Sequence, residues 1–260
     1  MTEPSQISLV NDQFSTRAAA YVASPVHAQG EDLNAIDTIA RRLNVEQGSG
    51  GRALDLGCGG GHVSFWLSPH FAKVVACDVT PSMLTSVAAE AKRRRLDNIE
   101  TVEGAAEALP FADASFDFVA TRFSAHHWPD FERGLREAAR VLKPGGHAVF
   151  ADCVSPGTPL FDTFIQTIEI LRDPSHIRDY SVAEWNEALS RSGFTVTAMT
   201  TRKLALEFSS WVARMDTAQV HVAAIRSLQS RMWEGVRDYF SIDLNGSFRI
   251  DTALFEAVKS

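Results

Sequence analysis

Apolar residues recur along this chain with two different periods, and the period changes several times. Between residues 30 and 46, Leu33, Ile36, Ile39, Ala40 and Leu43 fall at helical spacing, which predicts an amphipathic helix. Residues 11–25 read as a shorter helix that ends near Pro25. Gly48, Ser49, Gly50 and Gly51 then break the pattern. Beyond them, short apolar runs alternate with helical stretches. Strands are predicted at 52–56, 73–78, 99–103, 115–121 and 147–153, and helices at 61–68, 81–95 and 130–142. The second of these helices opens on Thr80-Pro81, a cap followed by a residue preorganised for the first turn. Lys143-Pro144-Gly145-Gly146 is expected to be a turn. Strands alternating with helices mean βαβ units and a parallel sheet.

The last hundred residues follow another pattern. Helices at about 159–172 and 181–192 lead to a strand near 194–203, and more helix follows from about 208 to 238. Asn245-Gly246, between apolar-rich runs at 240–244 and 247–256, predicts a closing hairpin. No internal repeat or low-complexity segment is visible. The chain reads as one doubly wound α/β sheet with helical insertions, which 260 residues can fill as a single large domain.

Composition narrows the function classes. Hydrophobic residues make up 45% and charged residues 22%, ordinary globular usage. A net charge of −7 argues against nucleic acid as the main partner. It leaves room for a small cationic or neutral substrate. Residues 92–95 form the one basic run and read as a solvated helix face. Cys58, Cys77 and Cys153 are dispersed and odd in number, so neither a zinc site nor a disulfide framework is suggested. No apolar run reaches the ~18 residues of a membrane span, and the polar N-terminus is unlike a secretory signal. A cytoplasmic monomer or homodimer is expected.

The strongest chemical signal is Asp55-Leu56-Gly57-Cys58-Gly59-Gly60-Gly61-His62, where the first predicted strand hands over to a helix. Glycines there permit a tight turn and close approach of the backbone to a ligand. Asp78 ends the next strand, and an acid at that position can take both hydroxyls of a ribose. Loop and acid together indicate an adenosine-containing ligand. The dinucleotide fingerprint G-x-G-x-x-G would place its third glycine at position 62, which is His62. Asp55 is poorly placed for a pyrophosphate but reasonable near an ammonium. S-adenosylmethionine (SAM) carries an ammonium and a sulfonium and no phosphate. A nicotinamide-dependent oxidoreductase is therefore disfavoured. No G-x-S-x-G elbow, P-loop or H-E-x-x-H is present.

Residues 55–61, Asp78 with residues 80–84, residues 107–111, 115–117 and 141–146 resemble the ordered motifs of class I SAM-dependent methyltransferases. They are most similar to the branch containing the ubiquinone/menaquinone C-methyltransferases. Segments 124–128, 171–180 and 207–215 extend a likeness to the YafE-type methyltransferase-like proteins of bacteria. The resemblance implies a seven-stranded Rossmann-like sheet, mostly parallel with a C-terminal antiparallel hairpin. Helices would cover both faces. An N-terminal helical lid over residues 1–30, and helical insertions at 155–193 and 204–239, would cover the substrate. SAM would be the cofactor and S-adenosylhomocysteine the product. Gly57, Gly59 and Gly61 would wrap the methionine part, Asp78 the ribose, and Met83 the adenine face. Ala105, Ala106 and Glu107 would border the adenine. Many relatives carry an Asp where this chain has Ala105, so a backbone carbonyl replaces that contact or it is lost, at about 1 kcal/mol. Arg122 or Ser124 would lie near the methionine end, and Arg17 and Tyr21 could close over the cofactor.

In open α/β sheets the substrate lies beyond the carboxyl ends of the strands, where Ser124-Ala125-His126-His127-Trp128 falls. One of His126 and His127 would act as a base; the alternative is that both are structural. Asp152 ends the fifth strand at the same edge, which raises a His-His-Asp metal site. Adjacent histidines on an extended strand point to opposite faces, and no metal is expected. Asp173, His176, Arg178 and Tyr180 share one loop, and Phe208, Trp211 and Arg214 a later helix. His176 could be a base, and Arg178 or Arg214 could hold an anionic substrate. Trp128, Asp152, His176, Arg178, Tyr180, Trp211 and Arg214 are the candidate substrate-binding residues. The reading is methyl transfer to a small molecule, an aromatic or quinone-like one among the candidates. Its alternatives are other SAM chemistry (elimination or cyclisation) and a cofactor-sensing protein.

Overall fold

In the computed structural model, which describes residues 5–15, 30–47 and 50–260, seven strands form one sheet in the order β3-β2-β1-β4-β5-β7-β6. The strands are β1 (Arg52–Leu56), β2 (Lys73–Asp78), β3 (Ile99–Glu103), β4 (Phe116–Arg122), β5 (Leu142–Val154), β6 (Phe194–Leu206) and β7 (Phe248–Lys259). β1 pairs in parallel with β2 and β4, β2 with β3, and β4 with β5. β7 runs antiparallel between β5 and β6. The expected mostly parallel sheet with an antiparallel C-terminal end is what forms.

The helices are α1 (Gln6–Ser15), α2 (Glu31–Gln47), α3 (His62–Leu67), α4 (Pro81–Arg94), α5 (Phe131–Val141), α6 (Pro159–Arg172), α7 (Val182–Arg191), α8 (Phe208–Ala213), α9 (Gln219–Arg231) and α10 (Glu234–Tyr239). Leu33, Ile36, Ile39, Ala40 and Leu43 of α2 are buried on one sheet face with Val63, Leu67 and Phe71. The other face buries Leu135, Ala138, Trp185 and Leu189 of α5 and α7 against Leu54, Val75, Phe150 and Phe255. Sheet strands packed on both faces read as continuous apolar runs, as Val74, Val75, Ala76 and Cys77 do. A third cluster joins Phe164, Ile165 and Ile168 of α6 to Trp211, Ile225, Val236 and Phe240, next to Phe248 and Ile250 of β7.

Several boundaries depart from the pattern. The first helix begins at Gln6, earlier than expected, because Ile7, Val10 and Phe14 share one face. Residues 16–29, with the expected lid residues Arg17 and Tyr21, lie outside the described residues. Residues 143–146 are absorbed into β5: Leu142 pairs with Phe116 and His147 with Phe118, so the glycines form an irregularity within the strand. The expected helix at 208–238 divides into three, broken at Asp216, whose φ is 50°, and at Met232-Trp233. The hairpin expected at 240–256 does not form. Asn245-Gly246 does turn the chain, with Gly246 N–H donating to Asp243 O at 2.9 Å. However, β5 and β6 occupy both edges of β7, so no ladder remains for 240–244. The antiparallel partner of β7 is instead β6, reached through α8–α10.

Strand order reverses between β1 and β4. Their carboxyl ends therefore open a crevice, the position at which such sheets hold ligands.

Candidate active site

The glycine-rich turn is fixed by backbone conformation. Gly57, Gly59 and Gly61 have φ of 69°, 47° and 77°, in the left-handed region that L side chains avoid. A Cβ on Gly57 would lie 1.9 Å from Ser124 Oγ, and one on Gly61 2.8 Å from Val87. A Cβ on Gly59 would meet nothing within 4 Å, so this part of the turn faces open space.

Two carboxylates flank the turn. Asp55 Oδ2 accepts from Ser64 N at 2.8 Å and Ser64 Oγ at 2.6 Å. Burial nevertheless pushes its carboxyl up to about 7, against those two donors. Asp78 Oδ2 accepts from Gly59 N and Oδ1 from Thr80 N, both at 2.9 Å. Burial raises this carboxyl too, opposed by the Gly59 and Thr80 donors. Asp55, buried beside the turn, disfavours a pyrophosphate there, whereas an acid at the Asp78 position suits the ribose of any adenosine ligand.

Phe123, at φ 52°, bends the chain just past β4 and swings the following single 3₁₀ turn (Ala125–His127) over the sheet edge. Asp152, at the matching end of β5, is 1% exposed. It accepts from Ala125 N and Cys153 N at 2.8 Å and holds His126 Nδ1 at 2.6 Å. Burial opposes a charge on His126, but Asp152, with Asp179 and Glu169, more than offsets this and raises the imidazole to about 9. The His127 ring lies 4.2 Å from that of His126. Burial, then the His126 charge, lower His127 to about 4. Near neutral pH the positive charge of the pair thus sits on His126, and His127 is neutral. His127 Nδ1 is 3.0 Å from Ser175 O. A carbonyl only accepts, so Nδ1 carries the hydrogen and Nε2 the lone pair.

One cavity of about 420 Å³ links these groups. Asp55, Gly57, Gly59, Asp78, Met83, Ala106, Glu107 and Arg122 line one end, and His126, His127, Trp128, His176, Trp211 and Arg214 the other. The remaining candidates lie elsewhere. Gly61 packs on Val87. Ala105 forms an isolated bridge with Ala108. Asp152 stands behind His126. Arg178 pairs with Glu184 and Asp162, and Tyr180 stacks on Phe131 at 3.9 Å. Burial first, then His126 and His127, lower His176 to about 2. Among the described residues no three His, Cys, Asp or Glu side chains converge to hold a metal. No described helix is long and apolar enough to cross a membrane.

The pattern along the chain missed part of the lining. Ile7, Val10 and Phe14 of α1 border the cavity, with Phe14 edge-on to His127. Their i, i+3, i+7 spacing was the available signal. Gln6 Nε2 donates to Ser175 O at 2.6 Å and Gln13 Nε2 to Met215 O at 2.9 Å. Asp32 of α2 pairs with Arg122. Glu169, Arg172 and Asp179 also line the cavity, and no local motif marked them.

Comparison with known proteins agrees with this geometry. Residues 54–150 match the family described as a methyltransferase domain. The chain is 45% identical over 200 residues to the uncharacterized protein YafE of Escherichia coli (strain K12), covering 77% of this chain and 97% of that one. It is 32% identical over 251 residues to the uncharacterized methyltransferase YcgJ of Bacillus subtilis (strain 168), covering 95% and 97%. The crystal structure of YcgJ superposes with a TM-score of 0.82 at 30% identity, over 88% of this chain and 98% of that one. A demethylmenaquinone methyltransferase of Staphylococcus saprophyticus is 36% identical over 126 residues, covering 47% and 52%.

Proposed function

The chain belongs to the class I SAM-dependent methyltransferases, and we propose that it binds SAM at the glycine-rich turn and methylates a small molecule held beside His126 and His127. The observation that carries this reading is the single cavity joining the turn and Asp78 to the histidine pair. Open space before Gly59, two carboxylates and a buried Met83 make a cradle suited to a ribose and an ammonium. Gly57 and Gly59 would border the methionine part, Asp78 the ribose, and Met83, Ala106 and Glu107 the adenine. Arg122 would face the methionine carboxylate, with Asp32 holding its guanidinium in place. Gly61 acts at one remove, letting α4 pack close behind the turn.

When bound, SAM supplies a methyl group on a sulfonium, and transfer is an in-line displacement. The protein's part is to hold the acceptor at about 3–3.5 Å and take its proton. Asp152 fixes His126 with hydrogen on Nδ1, leaving Nε2 to receive that proton. His126 gives up its resting proton more readily when a second cation lies beside it. This makes the Asp152–His126 pair the base of the loaded enzyme. His127 stays neutral and shapes the pocket. The helix α1, tied by Gln6 and Gln13 to the segments around Ser175 and Met215, closes the mouth as a lid. α6–α10 form the acceptor cover. An aromatic or quinone-like body suits the wall around Trp211, and the resemblance to a demethylmenaquinone methyltransferase supports that shape.

Calorimetric titration with SAM, S-adenosylhomocysteine and NAD tests the cofactor. Micromolar binding of the first two, without NAD, is expected; binding of NAD alone would overturn the reading. Incubation with methyl-labelled SAM and metabolite extracts then separates label on an acceptor from another cofactor product.

A further inference from the structure

We propose that the acceptor is recognised through a protonated nitrogen, which the Asp179 carboxylate holds in the acceptor half of the cavity. The inference rests on that half being the acceptor site. Three acidic side chains, Glu169, Asp173 and Asp179, line that half and Asp152 stands just behind it; all but Asp179 have donors or a cation. Asp152 serves His126 and two backbone N–H groups. Asp173 Oδ1 accepts from Ser175 N and Oγ at 2.8 and 2.6 Å. Glu169 faces Arg172 Nη1 at 3.3 Å.

Asp179 differs. It lines the cavity and is 2% exposed. Its Oδ2 is buried with no hydrogen-bond partner among the described residues. Its backbone is pinned on both sides: Asp179 N–H donates to Gln166 Oε1 at 3.1 Å, and Asp179 O accepts from Gln166 Nε2 at 2.8 Å. The loop therefore holds the side chain in place, and the one nearby amide is already engaged. A buried carboxyl oxygen without a partner is costly, and a ligand that supplies the donor relieves that cost.

Charge selects the donor. His126 serves Asp152, and Arg172 serves Glu169 and Trp211 O. Arg214 also lines the cavity, and a benzoate probe reads whether it draws an anion instead. Arg178 turns to Asp162 and Glu184. On the far wall Arg202 pairs with Glu31 and Lys203 with Asp251. Burial, then the charge of Glu169, push the Asp179 carboxyl up to about 8, so near neutral pH it rests protonated and a cation placed against it favours the ionised form. An anionic acceptor would add to the repulsion that Glu169 already exerts on Asp179. A protonated nitrogen offsets that repulsion and supplies Oδ2 with a donor. Trp211, Leu206 and Ile250 line the same cavity, so the rest of the molecule is apolar.

The test uses benzylamine, benzyl alcohol and benzoate as probes, titrated into the full-length protein with and without saturating S-adenosylhomocysteine. Benzylamine should bind about tenfold or more tightly than benzyl alcohol, and benzoate weakest. Asp179→Asn should abolish the preference. Equal binding of amine and alcohol, a preference for benzoate, or an unchanged preference in Asp179→Asn would each overturn the proposal. The wild-type contrast decides it alone should that variant not fold. Failure of S-adenosylhomocysteine to bind removes the cofactor reading, whereas the amine preference, read in both conditions, decides only this one.

Discussion

At the β1–β4 end of the cavity the walls are backbone: three left-handed glycines, the Gly59 and Thr80 N–H groups on Asp78, and a turn pressed against Ser124. At the β5 and α6 end they are side chains: His126 on Asp152, His127 against Ser175, Glu169 beside Arg172, and Asp179 unpaired. The difference teaches that one end is specified by conformation and is common to a family, while the other is specified by charges that can be exchanged without disturbing the sheet. A cofactor shared across a family fits the first design, and an acceptor particular to one protein fits the second.

Substitutions can break this division, beginning with the largest effect. His126→Ala should lower kcat by about 10²–10⁴-fold while the affinity for S-adenosylhomocysteine changes little; equal losses in both would merge the two ends into one. Asp78→Ala should do the reverse. Loss of hydrogen bonds to a charged group costs about 1.5–3 kcal/mol, so cofactor affinity should fall roughly 10–100-fold by calorimetry. Unchanged affinity would reject its ribose role.

Asp152→Asn sharpens the acceptor end. With the carboxylate gone, the His126 cation loses its main support and the imidazole falls from about 9 toward or below its ordinary value. The acid limb of the kcat profile should shift to lower pH, and the maximal rate should drop. A profile that keeps its shape would mean that another group titrates. The smallest effect concerns stability. Burial, then Glu169, hold Asp179 up at about 8 in the folded protein against 3.8 ordinarily. The folded state then binds more protons than the unfolded state between those values, so stability falls as pH rises from about 4 to about 8. Asp179→Asn removes that loss. Thermal melts should show the variant gaining over wild type from pH 5 to pH 8, by ~2–4 °C for each kcal/mol. An equal gain at both pH values would show that Asp179 is not the titrating group.

Much of this was legible along the chain where the information is local. Alternating apolar periods located all but the first helix and the C-terminal elements, because strands and helices that pack on one sheet repeat their buried positions regularly. The hairpin signal at Asn245-Gly246 misled, since a turn is local but a strand needs a free neighbour, and β7 had none. His126 and His127 were legible as candidates, but the placing of the charge on His126 was not, because it depends on Asp152, 26 residues away in sequence. Glu169 carried no signal, and Asp179, although inside the 171–180 segment and between Arg178 and Tyr180, was not distinguishable from its neighbours by spacing.

The sequence alone determined the glycine turn, Asp78, the parallel half of the sheet and the membership that follows from them, since each depends on residues close together in the chain. Only the tertiary structure decided which side chains face the cavity. It turned Arg178 and Tyr180 away, set Asp152 behind a histidine, brought α1 against the cavity and left one carboxyl oxygen unpaired. Those outcomes follow from long-range packing and from charges buried together, whose energies depend on distances that spacing along a chain does not contain.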